Sequence, residues 1–447
     1  VGYNTGNDKT PFMSSSLLNA NNGGSDDKWN SWAWYAQGEY NYLQRYYLQL
    51  NATAETSSRF GKDAINSIKA FGAPWTMFYG AQGAWVVSNE SWMAGVEPID
   101  YLRISAGYDV SGNDDIDYYA ARSYFRAFKF MNSISGIAFD NIGNSELQAE
   151  ITRRFNVGLE TNLLKNRLSL RLNGFISNTE NLLTFQSLGF LSGLEYNWSN
   201  GGALSNRGVD ASVVGKLIAA KNFQWEMGVS AGHYKNKITR LADNKTFMDT
   251  QLYGATIRTE VGQAANLFYG YETEGVFATS EEAAESGLYI LAENGVDKKP
   301  FGAGDVIFKD NHEDGAIDAK DMVVIGDPNP DIYGNLFSAM SYKRFRLDVN
   351  FNYSLGNDVY NYMRSQLEGG NRFMNQTTAM LHRWQAEGQQ TSMPRATFQD
   401  PMGNARFSDR WIEDGSYLRL KSATLSYNLP INSTFIQGFQ FWVQANN

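Results

Sequence analysis

The sequence contains no cysteine, and only three of its 447 residues are histidine. Without cysteine there can be no disulfide and no thiolate metal site, so cysteine nucleophiles and zinc ribbons are excluded. His233, His312 and His382 lie in different segments, without a recognisable serine or aspartate partner. Since covalent catalysis needs at least a nucleophile with a matching base, the sequence does not predict an enzyme.

Long hydrophobic runs are missing as well. No segment approaches the roughly twenty apolar residues that a spanning helix needs, which excludes a helical membrane protein. The net charge of -9 argues against nucleic acid as a partner. Proline is scarce at 9 residues, whereas there are 42 Gly, 27 Phe, 25 Tyr and 11 Trp. This balance is typical of a turn-rich β-protein whose aromatic rings can lie at a membrane interface.

Alternation of apolar and polar residues is the dominant pattern. In residues 346–355 every second side chain is apolar, from Leu347 to Leu355, and those between are charged, amide or hydroxyl side chains. Strands of soluble sandwiches average about five or six residues, whereas a bilayer-crossing strand needs roughly nine to eleven. We count roughly a dozen alternating runs of crossing length, which predict an all-β fold, a large antiparallel transmembrane β-barrel.

The connections between these runs are of two kinds. Short turns are predicted at 44–45, 165–166 and 343–344, and long loops at 111–144, 242–301 and 356–416, with helical patches near 280–286 and within 356–416. An outer-membrane barrel has short periplasmic turns and long extracellular loops, so we predict one such barrel domain over residues 1–447. A switch in apolar parity near Lys421 and Ser422 predicts a β-bulge.

An acidic segment has the spacing of a calcium loop. Asp310, His312, Asp314, Asp318 and Asp321 take positions 1, 3, 5, 9 and 12 of a twelve-residue frame, with Gly315 at position 6. Against calcium, His312 is a poor ligand for a hard cation, and Asp321 stands where a longer glutamate is usual. The alternative is a turn-rich acidic loop closed by bonds from side chains to the backbone.

Some side chains could contact a substrate or partner. We single out four tryptophans in the predicted outer loops, Trp29, Trp198, Trp384 and Trp411, which could stack on sugar rings or peptide side chains. The alternative for each is packing within the loops or a place in the aromatic girdle. Four charged residues of the predicted lumen, Arg103, Arg171, Arg346 and Asp348, could shape a substrate path or could simply be paired or solvated.

An ordered set of motifs resembles a known family. They are ETSSRFGKD at 55–63, DYLRISAGYDVSGND at 100–114, NSELQAEITRRFNVGLE at 144–160, LSNRGVDASV at 204–213, GYETEGVF at 270–277, the acidic loop with IGDPNPDIYGN, and SDRWIEDGSYLRLKSATLSYNLP at 408–430. Together they are similar to the SusC/RagA family of TonB-dependent outer-membrane transporters of Bacteroidota. The last two blocks are the most specific.

The resemblance implies a plugged barrel, for which about 22 strands are typical, and the chain would supply somewhat more than its second half. The plug with its TonB contact and several strands would lie outside these residues. It also implies multi-pass location in outer-membrane lipid and active import of an oligosaccharide or oligopeptide from a SusD-like surface lipoprotein that caps the barrel. Whether the two-component complex forms a dimer is left undecided by the resemblance. No cofactor is expected to be required. Calcium in the 310–321 loop is the one candidate ion.

Two rival functions stay open. The first is a passive porin or structural surface barrel without energy coupling. A plug domain upstream in the intact chain would favour the importer, and its absence would favour the passive barrel. The second is a soluble carbohydrate-binding or hydrolytic β-protein, which predicts that the apolar strand faces are buried against a second sheet.

Overall fold

Long antiparallel strands make up most of the protein. The computed structural model describes residues 27–130, 134–187, 194, 196–430, 435–436 and 438–447. The chain divides into two compact units: unit 1 comprises Val1–Val209 and Asn236–Thr246, and unit 2 comprises Asp210–Lys235 and Phe247–Asn447.

Unit 1 is built on a meander of antiparallel strands. Its strands are β1 (Ser31–Tyr42), β2 (Tyr46–Ser57), β3 (Ile68–Ala70), β4 (Ala73–Val86), β5 (Ile99–Asn113), β6 (Tyr124–Phe130), β7 (Ile134–Asn141), β8 (Glu150–Leu163), β9 (Leu168–Glu180), β10 (Leu183–Ser187) and β11 (Tyr196–Asn200). The sheet order is β1-β2-β4-β5-β8-β9, with β3 paired to β4. The pairs β6–β7 and β10–β11 are separate hairpins.

Unit 2 is also built from antiparallel strands. The strands β12 (Ala203–Ala219) and β13 (Phe223–Arg240) contribute residues to both units, and the others are β14 (Phe247–Leu252), β15 (Ala255–Glu260), β16 (Leu267–Gly270), β17 (Thr273–Val276), β18 (Tyr289–Leu291), β19 (Lys298–Pro300), β20 (Val306–Phe308), β21 (Val323–Gly326), β22 (Ile332–Tyr342), β23 (Phe345–Leu355), β24 (Asp358–Tyr360), β25 (Ile412–Asp414), β26 (Tyr417–Leu429) and β27 (Phe439–Asn446). The long strands of unit 2 pair in the order β13-β22-β23-β26-β27.

The apolar faces of the long strands are open to the surroundings. In unit 1, Leu50, Phe155 and Leu172 are 49 to 50% exposed, and in unit 2 Leu425 is 50% exposed. A soluble sandwich would bury these side chains against a second sheet. Their exposure is the arrangement expected of strands that contact lipid, and it contradicts the soluble β-protein hypothesis.

The predicted strands and turns are largely confirmed. The bulge near Lys421 is present, because the register of β23 and β26 shifts between Asn350, opposite Ser422, and Phe351, opposite Leu420. The 356–416 loop begins and ends where predicted. The other two loops differ. Residues 111–113 belong to β5 and the connection 114–149 carries the β6–β7 hairpin, while the connection after β13 runs on to 331 and includes the acidic segment.

The helices are short. Helix α1 (Ser280–Ser286) coincides with the predicted patch; Thr279 accepts a hydrogen bond from the Glu282 N–H, and Gly287 ends the helix at φ +68°. Helix α2 (Tyr362–Glu368) and short 3₁₀ turns, among them Thr378–His382, are the remaining helical structure described. Among the described residues, none of the helices has the length and apolarity to span a bilayer.

The buried apolar cores lie in the connections rather than in the long strands. One core in unit 2 groups Phe277, Phe301, Val306, Phe308 and Ile317, and a second joins Phe268, Phe407 and Trp411. In unit 1, Ile116 and Leu147 form the centre of a third, in the 114–149 connection. The long connections are therefore folded bodies in their own right.

Candidate functional site

Two long connections of unit 2, residues 247–331 and 356–416, form the candidate site, here called the loop body. The connection 247–331 supplies the four-stranded sheet β14-β15-β16-β21, and residues 356–416 supply the β24–β25 pair and helix α2. The second core takes Phe268 from the first connection and Phe407 and Trp411 from the other. The two connections thus share a hydrophobic core.

A buried ion pair joins the same two connections. The Asp305 carboxylate is fully buried and accepts two hydrogen bonds from Arg395, with Nε at 2.9 Å and Nη2 at 2.8 Å. Asn404 Nδ2 and the Gly302 N–H donate to the same carboxylate at 2.8 and 2.9 Å. Both oxygens of Asp305 are therefore fully used, which is the condition under which a buried charge is tolerated.

Two more arginines are held inside the loop body by backbone carbonyls. Arg406 donates to the carbonyls of Gly403 and Met402, and Arg410 donates to that of Asn404 at 3.0 Å. Burial lowers the pKa of Arg406, and it lowers the pKa of Arg410 to about 10. Both guanidinium groups still carry charge at neutral pH, and the carbonyl oxygens that accept their hydrogen bonds fix the path of residues 402–410.

An aromatic cleft opens on the loop body. It has a volume of about 490 Å³ and is lined mainly by apolar side chains from 252–268 and 357–362. Tyr360 donates to the carbonyl of Tyr253 at 3.1 Å, and the rings of Tyr253 and Tyr362 lie 5.1 Å apart. Asn266 and Asn357 add polar groups to the lining. An apolar cleft with a few polar groups is the usual form of a ligand site; we call it the tyrosine cleft.

The tyrosine cleft was not predicted from the sequence. Its three tyrosines come from two segments about one hundred residues apart, and neither segment has a recognisable site motif. One local signal was available: Tyr253 and Gly254, at φ +50° and +83°, form the two-residue turn between β14 and β15. A tyrosine in that turn is unusual, because asparagine or glycine is preferred there.

The four tryptophans predicted as contact residues differ in placement. Trp411 is 1% exposed in the second core and donates to the Arg406 carbonyl, so its burial contradicts the expectation of a stacking surface. Trp384 is half-buried and donates to the Ala278 carbonyl at 3.0 Å. In unit 1, Trp198 is half-buried and donates to Asp117 at 3.1 Å. For these three, packing within the loops is the favoured alternative.

Trp29 is the most accessible of the four. Its ring is 42% exposed, lies parallel to Tyr118 at 6.4 Å between centroids, and has the Arg59 guanidinium 4.3 Å from its centre. An exposed ring with a fixed orientation can still stack on a ligand, so its contact role stays a prediction.

The acidic segment is closed by its own backbone. Asp310 accepts from the Gly315 N–H at 2.6 Å, and Asp314 accepts from the Ala316 N–H at 3.0 Å. Asp321 is fully buried and accepts from the N–H groups of His312 and Asp318, and Asp318 caps a 3₁₀ turn in return. Each of the four predicted ligands is thus engaged by main-chain donors.

A lysine offsets part of the negative charge in this segment. Lys320 Nζ lies 3.3 Å from an oxygen of Asp314 and 3.9 Å from one of Asp318. The Ala316 N–H and Lys320 hold the pKa of Asp314 below its usual value. Within the ranges that the structure describes, no three His, Asp or Glu side chains converge as a metal site requires. The arrangement favours the turn-rich alternative, and calcium in the 310–321 loop stays a prediction.

The charged residues predicted for the lumen are paired with neighbours. Arg171 lies 3.1 Å and Arg103 4.0 Å from Glu160 on the adjoining strand. Arg346 pairs with Asp348 on its own strand at 2.7 Å. These exposed pairs are worth little energetically, but they make the inner face polar and charged.

An amide-rich wall forms part of that inner face in unit 1. Gln49, Gln82, Gly107 and Asn156 lie opposite one another on β2, β4, β5 and β8. A hollow of about 190 Å³ opens here, and a Cβ on Gly107 would lie 2.8 Å from the Asn156 amide oxygen. The glycine therefore gives the amide side chain room on a hydrophilic wall.

Comparisons with known proteins agree with this architecture. Residues 1–447 match the family described as "TonB dependent receptor-like, beta-barrel". The chain is 28% identical to TonB-dependent receptor P3 of Formosa agariphila, over 92% of this chain and 40% of that protein. It is 26% identical to TonB-dependent receptor SusC of Bacteroides thetaiotaomicron, over 89% of this chain and 37% of that protein.

A solved structure shares the fold. The structure of the RagAB peptide transporter matches with a TM-score of 0.75 at 22% identity, covering 99% of this chain and 46% of that one. The chain spans about two fifths of the length of the curated relatives it matches. Both curated relatives are named as TonB-dependent receptors. The chain therefore belongs to the TonB-dependent receptor-like β-barrel family, and its strands form part of an outer-membrane β-barrel.

Proposed function

We propose that this chain forms the barrel wall and outer loops of a TonB-dependent importer of an oligomeric nutrient, an oligosaccharide or an oligopeptide, supplied by a SusD-like surface lipoprotein. Its family, the relative named SusC and the fold shared with the RagAB peptide transporter support the proposal. Short turns at one end of the strands and long loops at the other support an extracellular position for the loop body.

The loop body with its tyrosine cleft carries the proposal. A binding surface gains affinity when its loops are ordered before the ligand arrives. Here the Asp305–Arg395 pair and the shared core with Trp411 already order both connections. The cleft offers aromatic rings and amides, groups that suit the apolar faces and polar edges of sugars and peptides alike.

Uptake by intact cells tests the proposal. A Tyr362→Ala variant should reduce uptake of a labelled oligosaccharide or oligopeptide pool and weaken lipoprotein capture, because it removes a ring from the tyrosine cleft. Phe373→Ala is the matched control, since Phe373 is an aromatic residue of the same connection, is 92% exposed and does not line the cleft. Equal uptake by the wild type, the cleft variant and the control would contradict the proposed site.

Energy coupling separates the importer from the passive porin. If the proposal is correct, deleting TonB abolishes uptake while the barrel stays in the membrane. A passive channel predicts uptake that is unchanged by the deletion and falls with solute size. This outcome would leave the β-barrel fold unchanged and would contradict TonB-dependent import.

A further inference from the structure

The hairpin of β3 and β4 has an unusual tip. Phe71 and Gly72 form its two-residue turn with φ of +52° and +77°. Positive φ at both central residues defines a type I′ turn, where Asn-Gly is strongly preferred and a bulky side chain is strained. Phe71 is also 96% exposed. The turn geometry disfavours this ring, and contacts among the described residues leave most of it uncovered, so its presence calls for an external contact.

Phe71 extends a row of aromatic side chains. Its ring lies edge-on to Trp75 at 6.5 Å, Trp75 lies 6.4 Å from Trp32, and Trp32 lies 6.4 Å from Trp34. Trp32 and Trp34 are 64% and 62% exposed. We call these four residues the aromatic ladder.

The aromatic ladder lies on the lipid-facing side of the sheet. Trp34 is opposite Ala54, and Leu50, on the same face of β2, is half exposed. Ile68 is opposite Trp75, so it shares that face, and it is 59% exposed. The hairpin therefore continues a surface that the barrel already presents to lipid.

The height of the ladder matches the outer edge of the membrane. Trp32 and Tyr42 mark the two ends of the exposed face of β1, ten residues apart. At about 3.3 Å per residue and a tilt of roughly 40°, that spacing is about 25 Å, the height of an outer-membrane apolar band. Trp32 thus lies near the extracellular boundary of that band, and the hairpin tip lies at or just beyond it.

The hairpin also carries positive charge. Lys69, adjacent to Ile68, has a side chain that is 65% exposed and lies 3.8 Å from Asp63. Lys62 is exposed as well. An aromatic tip with a partly exposed lysine on the same hairpin suits the boundary between acyl chains and phosphate-bearing headgroups.

We propose that the β3–β4 hairpin is a lipid anchor: Phe71 and Ile68 enter the outer leaflet at the boundary of acyl chains and headgroups, and Lys69 reaches headgroup phosphate. Continuity with the lipid-facing sheet selects lipid as the occupant over a protein partner. The anchor depends on the barrel fold and its membrane location, and it does not depend on what the protein imports.

Site-specific fluorescence tests the anchor. Residues 1–447 contain no cysteine. Phe71→Cys in the full-length protein, with any cysteine outside these residues changed to serine, therefore allows an environment-sensitive dye to be attached at one position. The protein is placed in vesicles of phosphatidylcholine, with and without brominated chains, and with phosphatidylglycerol added in a parallel series. Phe373→Cys is the control, because Phe373 is 92% exposed in an extracellular loop of unit 2.

The anchor predicts emission shifted to shorter wavelength at position 71 and loss of intensity with brominated lipid, with neither change at 373. Quenching of position 71 by aqueous iodide as strong as at 373 would overturn it. A wavelength shift without quenching by lipid would also overturn it, because a protein partner or a second copy would then cover the hairpin. Equal lipid quenching at both positions would deny the hairpin any special role.

A second variant isolates the ring of Phe71. With the dye at Ile68→Cys, the added change Phe71→Asn should reduce lipid quenching, whereas Phe71→Trp should retain it. Asn-Gly is the preferred type I′ pair, so the asparagine variant keeps the turn and any loss reports the missing ring. Unchanged quenching in the asparagine variant would contradict Phe71 as the anchoring side chain.

Discussion

Replacing Asp305 with asparagine should loosen the loop body without changing its shape. Asp305→Asn is isosteric, but one carboxylate oxygen becomes an NH₂ group. On one side that group would face Arg395 Nε and Asn404 Nδ2, and on the other Arg395 Nη2 and the Gly302 N–H. Whichever way the amide turns, donors face donors and the ion pair is lost.

The magnitude follows from the bonds that are lost. Two hydrogen bonds to a charged acceptor, at about 1.5 kcal/mol each, give a loss of about 3 kcal/mol. We take the low end of the range because the Arg395 side chain is 37% exposed and can recover hydration. Since 1.4 kcal/mol corresponds to about tenfold, local opening should become roughly a hundredfold more frequent.

Hydrogen exchange of the protein in detergent measures this opening. The informative amides are those of Arg395, which donates to the Gly304 carbonyl, and of Val306, which donates to Asn404. The control is Glu272→Gln, which removes an exposed 2.8 Å pair with Lys309 and should change exchange by less than about threefold. If Asp305→Asn changes exchange as little as the control, the ion pair does not hold the two connections together.

Three other changes test the loop body. Trp411→Ala should destabilise it by about 3 to 5 kcal/mol, measured by hydrogen exchange, because the ring is 1% exposed in the second core. Asp321→Ala should expose the acidic segment to proteolysis, because it removes the buried acceptor of two N–H groups. Added calcium or chelator should leave the rate of this cleavage unchanged. Hydrogen bonds from Asn361 first, and then from Arg364, hold the pKa of Glu413 below its usual value. Ionised Glu413 therefore stabilises the loop body above the ordinary carboxylate pKa, and this stabilisation is lost as the pH falls through the lowered pKa of Glu413. Acidification should therefore lower the loop-body melting temperature, and Glu413→Gln should flatten that dependence.

Each of these predictions has a contrary outcome. Normal exchange in Trp411→Ala would mean that the two connections are held together without their shared core. Calcium-dependent protection of the acidic segment would favour the calcium hypothesis over the turn-rich alternative. A melting temperature that falls with acid equally in Glu413→Gln and the wild type would assign the pH dependence to other carboxylates.

Local sequence patterns predicted some features of the loops and not others. The helix at 280–286 and the limits of the 356–416 connection were predictable, because local periodicity and capping residues mark them. The burial of Trp411 was not predictable, because two members of its core, Ala255 and Phe268, are distant in sequence. The pairing of Asp305 with Arg395 joins residues 90 positions apart, and no local pattern records it.

The sequence by itself determined the strands, their two faces and the short turns, because a period of two is a property of neighbouring residues and lipid on one side demands it. It also determined family membership, through motifs in a fixed order. Only the tertiary structure decided that the long connections fold into bodies with their own cores, that three tyrosines line one cleft, and that the carboxylates of the acidic segment bind their own backbone. These outcomes depend on contacts between residues far apart in the chain, and sequence periodicity carries no information about which distant side chains meet.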